Sequence, residues 1–134
     1  MDNIVKSWLN KAEDDLKWTK SNLKEKVWYG ACFTTHQSVE KSLKAFLLSK
    51  NKTVGKIHDL SALGERCKEI DNTFEELIEG IISISDYYIN SRYPDAGDFM
   101  TYSKSNAEEA YEVAKEVFKF VSNKLKGSQP PSKI

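Results

Sequence analysis

Three short clusters hold the side chains best suited to chemistry in this 134-residue sequence. The first contains Gln37, Glu40, Lys41 and Lys44, and its Glu40 and Lys44 are four residues apart, on one face of a helix. Such a pair on the surface contributes only a few tenths of a kcal/mol, so an exposed ion pair is the simplest reading. The alternative is a binding site, with Lys41 and Lys44 as cations for phosphate and Glu40 as an orienting carboxylate.

The other two clusters add a histidine and an arginine. His58 is followed by Asp59, which suits either a binding pair or a packed histidine beside a helix N-cap. The third cluster, with one of only two arginines, is Tyr88, Arg92, Tyr93 and Asp95. A planar guanidinium can bind phosphate with two hydrogen bonds, and a tyrosine ring can stack on a base. Arg92 is therefore a candidate phosphate clamp, or else it bonds its own helix or pairs with Glu40 or Asp95.

Other kinds of active site find little support. The sequence has no glycine-rich phosphate loop, no Cys-x-x-Cys pair and no His-Glu-x-x-His motif, so we predict no metal site and no cofactor. Cys32 and Cys67 lack metal-ligand spacing, and Cys32 falls on an apolar helix face, which favours a core role. No nucleophilic triad is indicated, and no catalytic residue is assigned.

Composition limits the class of protein. The 20 basic and 20 acidic side chains cancel, which excludes a globally basic nucleic-acid binder, and 40% hydrophobic content is too high for a disordered chain. The sequence contains no membrane span of roughly 18 apolar residues and no signal peptide, so a cytoplasmic protein without membrane contact is expected. The length predicts one domain over residues 1–126 and a flexible tail over residues 127–134.

Charge is nevertheless uneven along the chain. The segment from position 41 to position 56 has no acidic residue and five lysines, namely Lys41, Lys44, Lys50, Lys52 and Lys56. One interpretation is that oppositely charged halves of the chain pack together and leave their charges in solvent. The other is a local cationic patch that binds phosphate. The sequence alone leaves both open.

Apolar residues recur every three or four positions, which is typical of helices. Helices are predicted over residues 2–24, 29–49, 59–70, 73–88 and about 105–126. A capping box is predicted at Thr73 with Glu76, and Ser105 with Glu108 is a second candidate, the alternative being that the fifth helix begins a few residues earlier. Pro94 must end the fourth helix, with a turn over residues 93–97. Short connections between long helices indicate an all-α, up-down antiparallel four-helix bundle with one short extra helix.

Three of the predicted apolar faces can be checked position by position. The first helix is predicted to bury Ile4, Trp8, Ala12, Leu16, Thr19 and Leu23. The fourth is predicted to bury Leu77, Ile78, Ile81, Ile82, Ser85 and Tyr88. The fifth has the most regular spacing, and its face contains Ala107, Ala110, Tyr111, Ala114, Val117, Phe118, Val121 and Leu125. The apolar faces of the fourth and fifth helices are the candidate dimer surfaces.

Taken in order, the three clusters resemble the HEPN family, the higher eukaryotes and prokaryotes nucleotide-binding domain. The matching motifs are Gln-x-x-Glu-Lys-x-x-Lys over residues 37–44, His-Asp-Leu over residues 58–60 and Arg-Tyr-Pro over residues 92–94. The resemblance covers about residues 5–122. It implies an up-down helical bundle that usually forms homodimers and often works with a minimal nucleotidyltransferase.

The resemblance also bears on activity. Many family members are metal-independent ribonucleases, some of them toxins, and these carry a histidine four to six residues after an arginine. Neither Arg92 nor Arg66 has such a histidine after it, so the group that would move the 2′-hydroxyl proton is missing. We therefore expect a non-catalytic, homodimeric nucleotide- or RNA-binding module. The alternatives are a ribonuclease or toxin with a degenerate site and a pure protein-interaction subunit.

Overall fold

The first two helices form a hairpin. The structure is a computed structural model that describes residues 1–85, 87 and 102–127. Helix α1 covers Asn3–Lys24 and helix α2 covers Trp28–Ser49. The Asp2 side chain caps α1 by accepting a hydrogen bond from the Val5 backbone N–H at 2.9 Å. Lys26 takes a left-handed backbone with φ of 62° in the turn, which lets α2 fold back along α1.

The buried face of α1 differs from the predicted one at its beginning. Val5 and Leu9 are buried, whereas Ile4 is among the most exposed apolar residues and Trp8 lies at the margin of the core. The prediction that Ile4 faces the core is therefore wrong. Its physical reason is the phase of the helix, because a face that includes Val5, Leu9, Ala12 and Leu16 turns Ile4 toward solvent.

Two shorter helices follow the hairpin. Helix α3 covers Leu60–Ile70, and it begins after Asp59 as predicted. A 3-10 turn over Asn72–Phe74 then leads directly into helix α4, which covers Glu75–Ile84. Phe74 is fully buried and packs against the ring of Phe46 at a centroid distance of 4.6 Å. This contact fixes the corner between α3 and α4 against α2.

Two details of α4 correct the sequence prediction. The Thr73–Glu76 capping box is wrong, because the Asp71 side chain accepts the Thr73 backbone N–H at 3.0 Å and α4 has no side-chain cap of its own. Ile82, predicted to face the core, is 55% exposed, while Ile84 is buried. The buried Phe74 sets the rotation of α4 and so determines which of these isoleucines faces inward.

Helix α5 covers Lys104–Gly127 and closes the bundle. It begins before Ser105, in agreement with the earlier of the two predicted starts. Ser103 and Asn106 cap it reciprocally, at 3.1 Å and 3.2 Å, instead of the predicted Ser105 and Glu108. Its most buried apolar residues match the predicted face and are Ala107, Ala110, Ala114, Val117, Val121 and Leu125. Gly80 lets α4 approach closely, since a Cβ there would lie 3.3 Å from the Val113 methyl groups.

Helix α2 is the central element. It packs against α1, α3, α4 and α5, and most of its length is therefore buried. Small and hydroxyl side chains bring α1 close to it: Ser38 donates to the Ala12 carbonyl at 2.8 Å, and the Thr19 and Thr34 hydroxyls lie 2.6 Å apart. A helix surrounded in this way must bury any polar residue it carries, and α2 carries Glu40, Lys44 and His36.

The all-α class is confirmed, and the described helices fit an up-down bundle with α3 as the short extra helix. The described residues contain no strand. They also contain no helix that is both long and apolar enough to cross a membrane. The predicted end of the fourth helix before Pro94, the turn over residues 93–97 and all but the first residue of the predicted tail lie outside the described residues.

Candidate functional site

A buried ion pair lies in the middle of α2. Glu40 is 5% exposed and Lys44 is 3% exposed, and Lys44 Nζ donates to Glu40 Oε2 at 2.9 Å. The four-residue spacing predicts this pairing but not its burial. Two opposite charges removed from water are tolerated only when they are paired and hydrogen-bonded. Each of the two residues therefore depends on the other.

His58 reaches the same carboxylate from the connection between α2 and α3. Its Nδ1 lies 3.1 Å from both oxygens of Glu40, and its side chain is 50% exposed. Because a carboxylate only accepts, Nδ1–H is the donor. Asp59 next to it accepts the backbone N–H groups of Ser61 and Ala62, which fixes the start of α3 beside the histidine. The structure thus brings together three predicted site residues, Glu40, Lys44 and His58.

Two further side chains complete what we name the Glu40 cluster: Glu40, Lys44, His58, His36 and Trp8. Lys44 Nζ lies 5.7 Å from the centre of the Trp8 ring, a cation–π distance. His36 is fully buried, with its Nδ1 4.0 Å from Glu40 Oε1. Burial lowers the pKa of His36 below its ordinary value, and the Glu40 carboxylate only partly opposes this. The buried positive charge of the cluster therefore resides on Lys44.

Lys41 belongs to a different ion pair. Its Nζ lies 2.6 Å from Asp15 Oδ2 on α1. Burial raises the pKa of the Asp15 carboxyl, although Lys41 favours the ionised form. The two lysines predicted to support one phosphate thus neutralise two different carboxylates. The sequence spacing of Lys41 and Lys44 gives no sign of this division, because Asp15 comes from another helix.

Comparison with known families accounts for nearly the whole chain. The family model of the HEPN domain matches residues 5–125. The chain belongs to the HEPN family. The matched span contains every residue of the Glu40 cluster, and it confirms the resemblance drawn from the three motifs.

Several relatives are similar to this HEPN domain over most of their length. A Methanocaldococcus jannaschii protein named "Putative toxin MJ1304" is 28% identical over 135 residues, which cover 91% of this chain and 88% of the relative. The crystal structure of TT1696 from Thermus thermophilus has a TM-score of 0.83 at 30% identity, covering 92% of this chain and 99% of that one. The crystal structure of ST0689, an archaeal HEPN homologue, shares the fold with a TM-score of 0.74 at 24% identity, covering 93% and 99% of the two chains.

Half of the predicted site lies outside the described part of this HEPN domain. These residues are Tyr88, Arg92, Tyr93 and Asp95. The phosphate-clamp role of Arg92, its orientation by Glu40 and the stacking roles of the tyrosines therefore stay predictions. The sequence alone shows that no histidine follows Arg92, because the two histidines of the chain are His36 and His58.

The chemistry of the Glu40 cluster is that of one carboxylate shared between an amine and an imidazole. Among the described residues, no three acidic, histidine or cysteine side chains are arranged to hold a metal ion. His58 is the member of the cluster with a large exposed surface. Glu40 accepts its Nδ1–H, and the half-exposed ring lies where a ligand at the surface of this HEPN domain can reach it.

The two cysteines are core residues. Cys32 and Cys67 are both fully buried, and burial raises the pKa of each thiol to about 12. A thiol acts as a nucleophile or metal ligand only as the thiolate. The prediction that Cys32 belongs to the core is confirmed.

Sequence reasoning missed an aromatic groove at the other end of α2. Trp18 and Tyr29 are more than half exposed, and together with Asn22 and Phe33 they border a cavity of about 460 Å³. The signal that could have found it is the position of both aromatic residues outside the apolar faces, on either side of the turn between α1 and α2. Along α2, Phe33 of the groove lies less than one turn before His36 of the Glu40 cluster and about two turns before Glu40 itself.

Proposed function

We propose that this HEPN domain is a homodimeric module that binds a nucleotide or RNA, works with a nucleotidyltransferase partner and does not itself cleave RNA. The observation that carries the proposal is the buried Glu40–Lys44 pair, which meets the surface at His58. A buried ion pair contributes little net stability, because desolvation offsets the attraction of its charges. Apolar side chains could fill the same space, so the retained charge supports a role in ligand recognition.

The proposed roles centre on phosphate. Arg92 binds it with two charge-assisted hydrogen bonds, and Glu40 orients the guanidinium. Tyr88 and Tyr93 offer stacking faces to a base, and Asp95 accepts a hydrogen bond from the ligand or from Arg92. His58 adds a hydrogen bond at the surface end of the Glu40 cluster.

Lys41 and Lys44 take a supporting part. Both are ion-paired, Lys41 with Asp15 and Lys44 with Glu40. In the proposed site Lys44 holds the Glu40 carboxylate in place and Lys41 adds a nearby positive charge, and neither ammonium group contacts the phosphate. This differs from direct binding of phosphate by both ammonium groups, because Lys44 is almost fully buried.

A thermal-shift series tests the proposal. The chain is melted alone and with ATP, GTP, their monophosphates and a short RNA. A ligand at 100 times its dissociation constant stabilises the folded state by about 2.7 kcal/mol, which raises the melting temperature of a domain this size by several degrees. Arg92→Ala should abolish the shift, whereas Lys6→Ala, on the exposed face of α1, should keep it.

Two other results would redirect the proposal. A shift that survives Arg92→Ala would place the phosphate site elsewhere. No shift with any nucleotide or RNA, combined with co-purification of a nucleotidyltransferase, would favour a pure protein-interaction subunit.

A second candidate is a metal-independent ribonuclease that acts as a toxin. The observation that favours it is the relative named "Putative toxin MJ1304", 28% identical over 91% of this chain. Structured and single-stranded RNA are incubated with the pure protein and EDTA, with Arg92→Ala in parallel. Cleavage above the level of the variant would overturn the non-catalytic proposal, and equal, negligible cleavage would dismiss the ribonuclease.

A further inference from the structure

The five lysines between positions 41 and 56 divide into two groups. Lys41 and Lys44 each pair with a carboxylate at less than 3 Å. Lys50, Lys52 and Lys56 are exposed and form no ion pair with any described carboxylate. These three lie in residues 50–57 between α2 and α3, which we name the lysine loop.

The lysine loop is held in a defined shape. Asn51 and Gly55 take left-handed backbones, with φ of 60° and 51°, and fold the connection tightly. Val54 and Ile57 are partly buried and pack against the core. With Val54 and Ile57 packed on the inside, all three lysines are exposed on a fixed backbone, and the Lys50 ammonium lies 5.6 Å from the centre of the Phe46 ring. A surface ordered in advance loses less entropy when it binds a ligand.

An arginine from α3 strengthens both the order and the charge of this surface. Arg66 donates from Nη2 to the Thr53 carbonyl at 2.8 Å and so ties the loop to α3. Arg66 and Lys52 line a hollow of about 370 Å³ together with Glu69 and Ile70. Two cations against one carboxylate leave the hollow positive, which suits an anion.

We infer that the lysine loop binds the phosphate backbone of RNA, as a contact surface additional to the Glu40 cluster. The choice of RNA rests on the proposed function. Three cations along one loop fit a ligand with several phosphates better than a mononucleotide. The loop contains no aromatic residue that could stack on a base, so it contacts the backbone and does not distinguish base sequence. Its last residue precedes His58, and a bound strand would run toward the Glu40 cluster.

The salt dependence of binding tests the inference. The triple variant Lys50→Gln, Lys52→Gln, Lys56→Gln is compared with Lys6→Gln, Lys17→Gln, Lys20→Gln, which removes the same charge from exposed positions on α1. Affinity for a fluorescent single-stranded RNA of about 12 nucleotides is measured by anisotropy. Each phosphate contact contributes about 0.7 to the slope of log affinity against log salt. The magnitude of the slope should therefore be smaller by about 2 in the loop variant than in the native chain. The α1 variant should have the same slope as the native chain.

The same difference can be stated as affinity. Between about 50 and about 200 mM salt, the native chain and the α1 variant should lose about 20-fold more affinity than the loop variant. Uridine and adenine homopolymers should bind alike, and affinity for AMP should not change in the loop variant.

Several results would overturn the inference. Equal slope changes in both triple variants would indicate a general charge effect, and parallel loss of AMP and RNA binding would make the loop part of a mononucleotide site. Polyglutamate binding as tightly as RNA would indicate an acidic protein segment as the partner. Failure of the native chain to bind either RNA or nucleotides would overturn the proposed function as well, whereas RNA binding with an unaltered slope in the loop variant would overturn this inference alone.

Discussion

At the scale of single residues, Glu40 connects three parts of the chain. Its carboxylate accepts from Lys44 on its own helix and from His58 on the connection to α3. Lys44 in turn lies against Trp8 of α1. A substitution at Glu40 therefore acts on contacts made by other elements as well as on its own helix.

Removal of Glu40 alone should be strongly destabilising. In Glu40→Ala, the Lys44 ammonium stays buried without its carboxylate, and loss of one partner of a buried pair costs about 3–5 kcal/mol. Urea denaturation of the variant and the native chain measures the change in the free energy of unfolding. The paired variant Glu40→Leu, Lys44→Met should be close to neutral, because it removes both charges and keeps the volume. A double variant as unstable as the single one would contradict this account of the pair.

His36 should make stability depend on pH. Burial lowers its pKa from the ordinary 6.5 in the folded chain, so the unfolded chain binds a proton more readily below that pH. The contribution of His36 is therefore fully present above about pH 6.5 and is lost as the pH falls toward the lowered value. The free energy of unfolding should drop by up to about 1.4 kcal/mol per pH unit in that window.

Urea denaturation at about pH 7.5, 6.5 and 5.5 measures this dependence. His36→Asn should flatten it, and His58→Gln, at the half-exposed histidine, should leave it largely in place. Equal flattening by both variants would assign the effect to the shared contact with Glu40 rather than to the burial of His36.

The burial and the partners of single residues were the hardest features to predict from the sequence. The spacing of Glu40 and Lys44 predicts that they pair, but their burial comes from Trp8 on α1 and from His58, which lies beyond the end of α2. Spacing within one helix contains no information about either neighbour. For the same reason, sequence analysis predicts that Lys41 and Lys44 support the same phosphate. In the structure Lys41 instead forms an ion pair with Asp15 of α1.

At the scale of elements, Asp71 joins the corner between α3 and α4 to α5. Its carboxylate accepts the Thr73 backbone N–H and lies 3.1 Å from Lys124 Nζ. The hydrogen bond from the Thr73 hydroxyl is the main cause that lowers the pKa of Asp71. One short side chain thus orders the turn that positions α4.

Asp71→Ala should lower the free energy of unfolding by about 1 kcal/mol, the usual effect of losing a capping side chain. Glu76→Ala should change it by less than about 0.5 kcal/mol, because Glu76 is exposed and the predicted capping box does not form. Chemical denaturation of the two variants side by side measures both effects. A larger loss of unfolding free energy in Glu76→Ala would indicate that the capping box of Thr73 and Glu76 does form.

The helices themselves were largely predictable. The spacing in α5 predicts its buried face, since Ala107, Ala114 and Val121 recur at a constant interval and no other pattern fits them. The first residue of α5 was harder to predict, because Ser103 and Ser105 are equally good N-caps by residue type. In α4 the spacing of Leu77, Ile81 and Ile84 is as regular as the predicted face that includes Ile82, and the packing of Phe74 against Phe46 accompanies the face that is observed.

At the scale of the whole molecule, the proposed homodimer requires an apolar surface. Of the two candidate helices, α5 covers its apolar face within the bundle, whereas α4 leaves Ile82 55% exposed. Contiguous apolar patches on a surface commonly mark contacts between proteins, and Ile82 is the exposed apolar residue from which such a patch on α4 would extend. We therefore expect α4 to contribute to the dimer surface.

Sedimentation equilibrium tests this expectation. The native chain should sediment at twice the 15.3 kDa mass of one chain, and Ile82→Asp should shift it toward the monomer. Ile4→Asp is the matched control, because Ile4 is a similarly exposed isoleucine on α1. A native monomer, or equal dissociation by both variants, would argue against α4 as the interface.

The α1–α2 hairpin has a consequence for the order in which the chain folds. Its two helices are joined by three residues and touch along their length, so their contacts are close in sequence and form quickly. The apolar side of α2 that α5 covers, however, stays uncovered until α5 itself is present, because α5 lies more than 50 residues further along the chain. During synthesis the hairpin leaves the ribosome before α5, and we expect it to expose that side, a surface that chaperones recognise, until α5 has been translated.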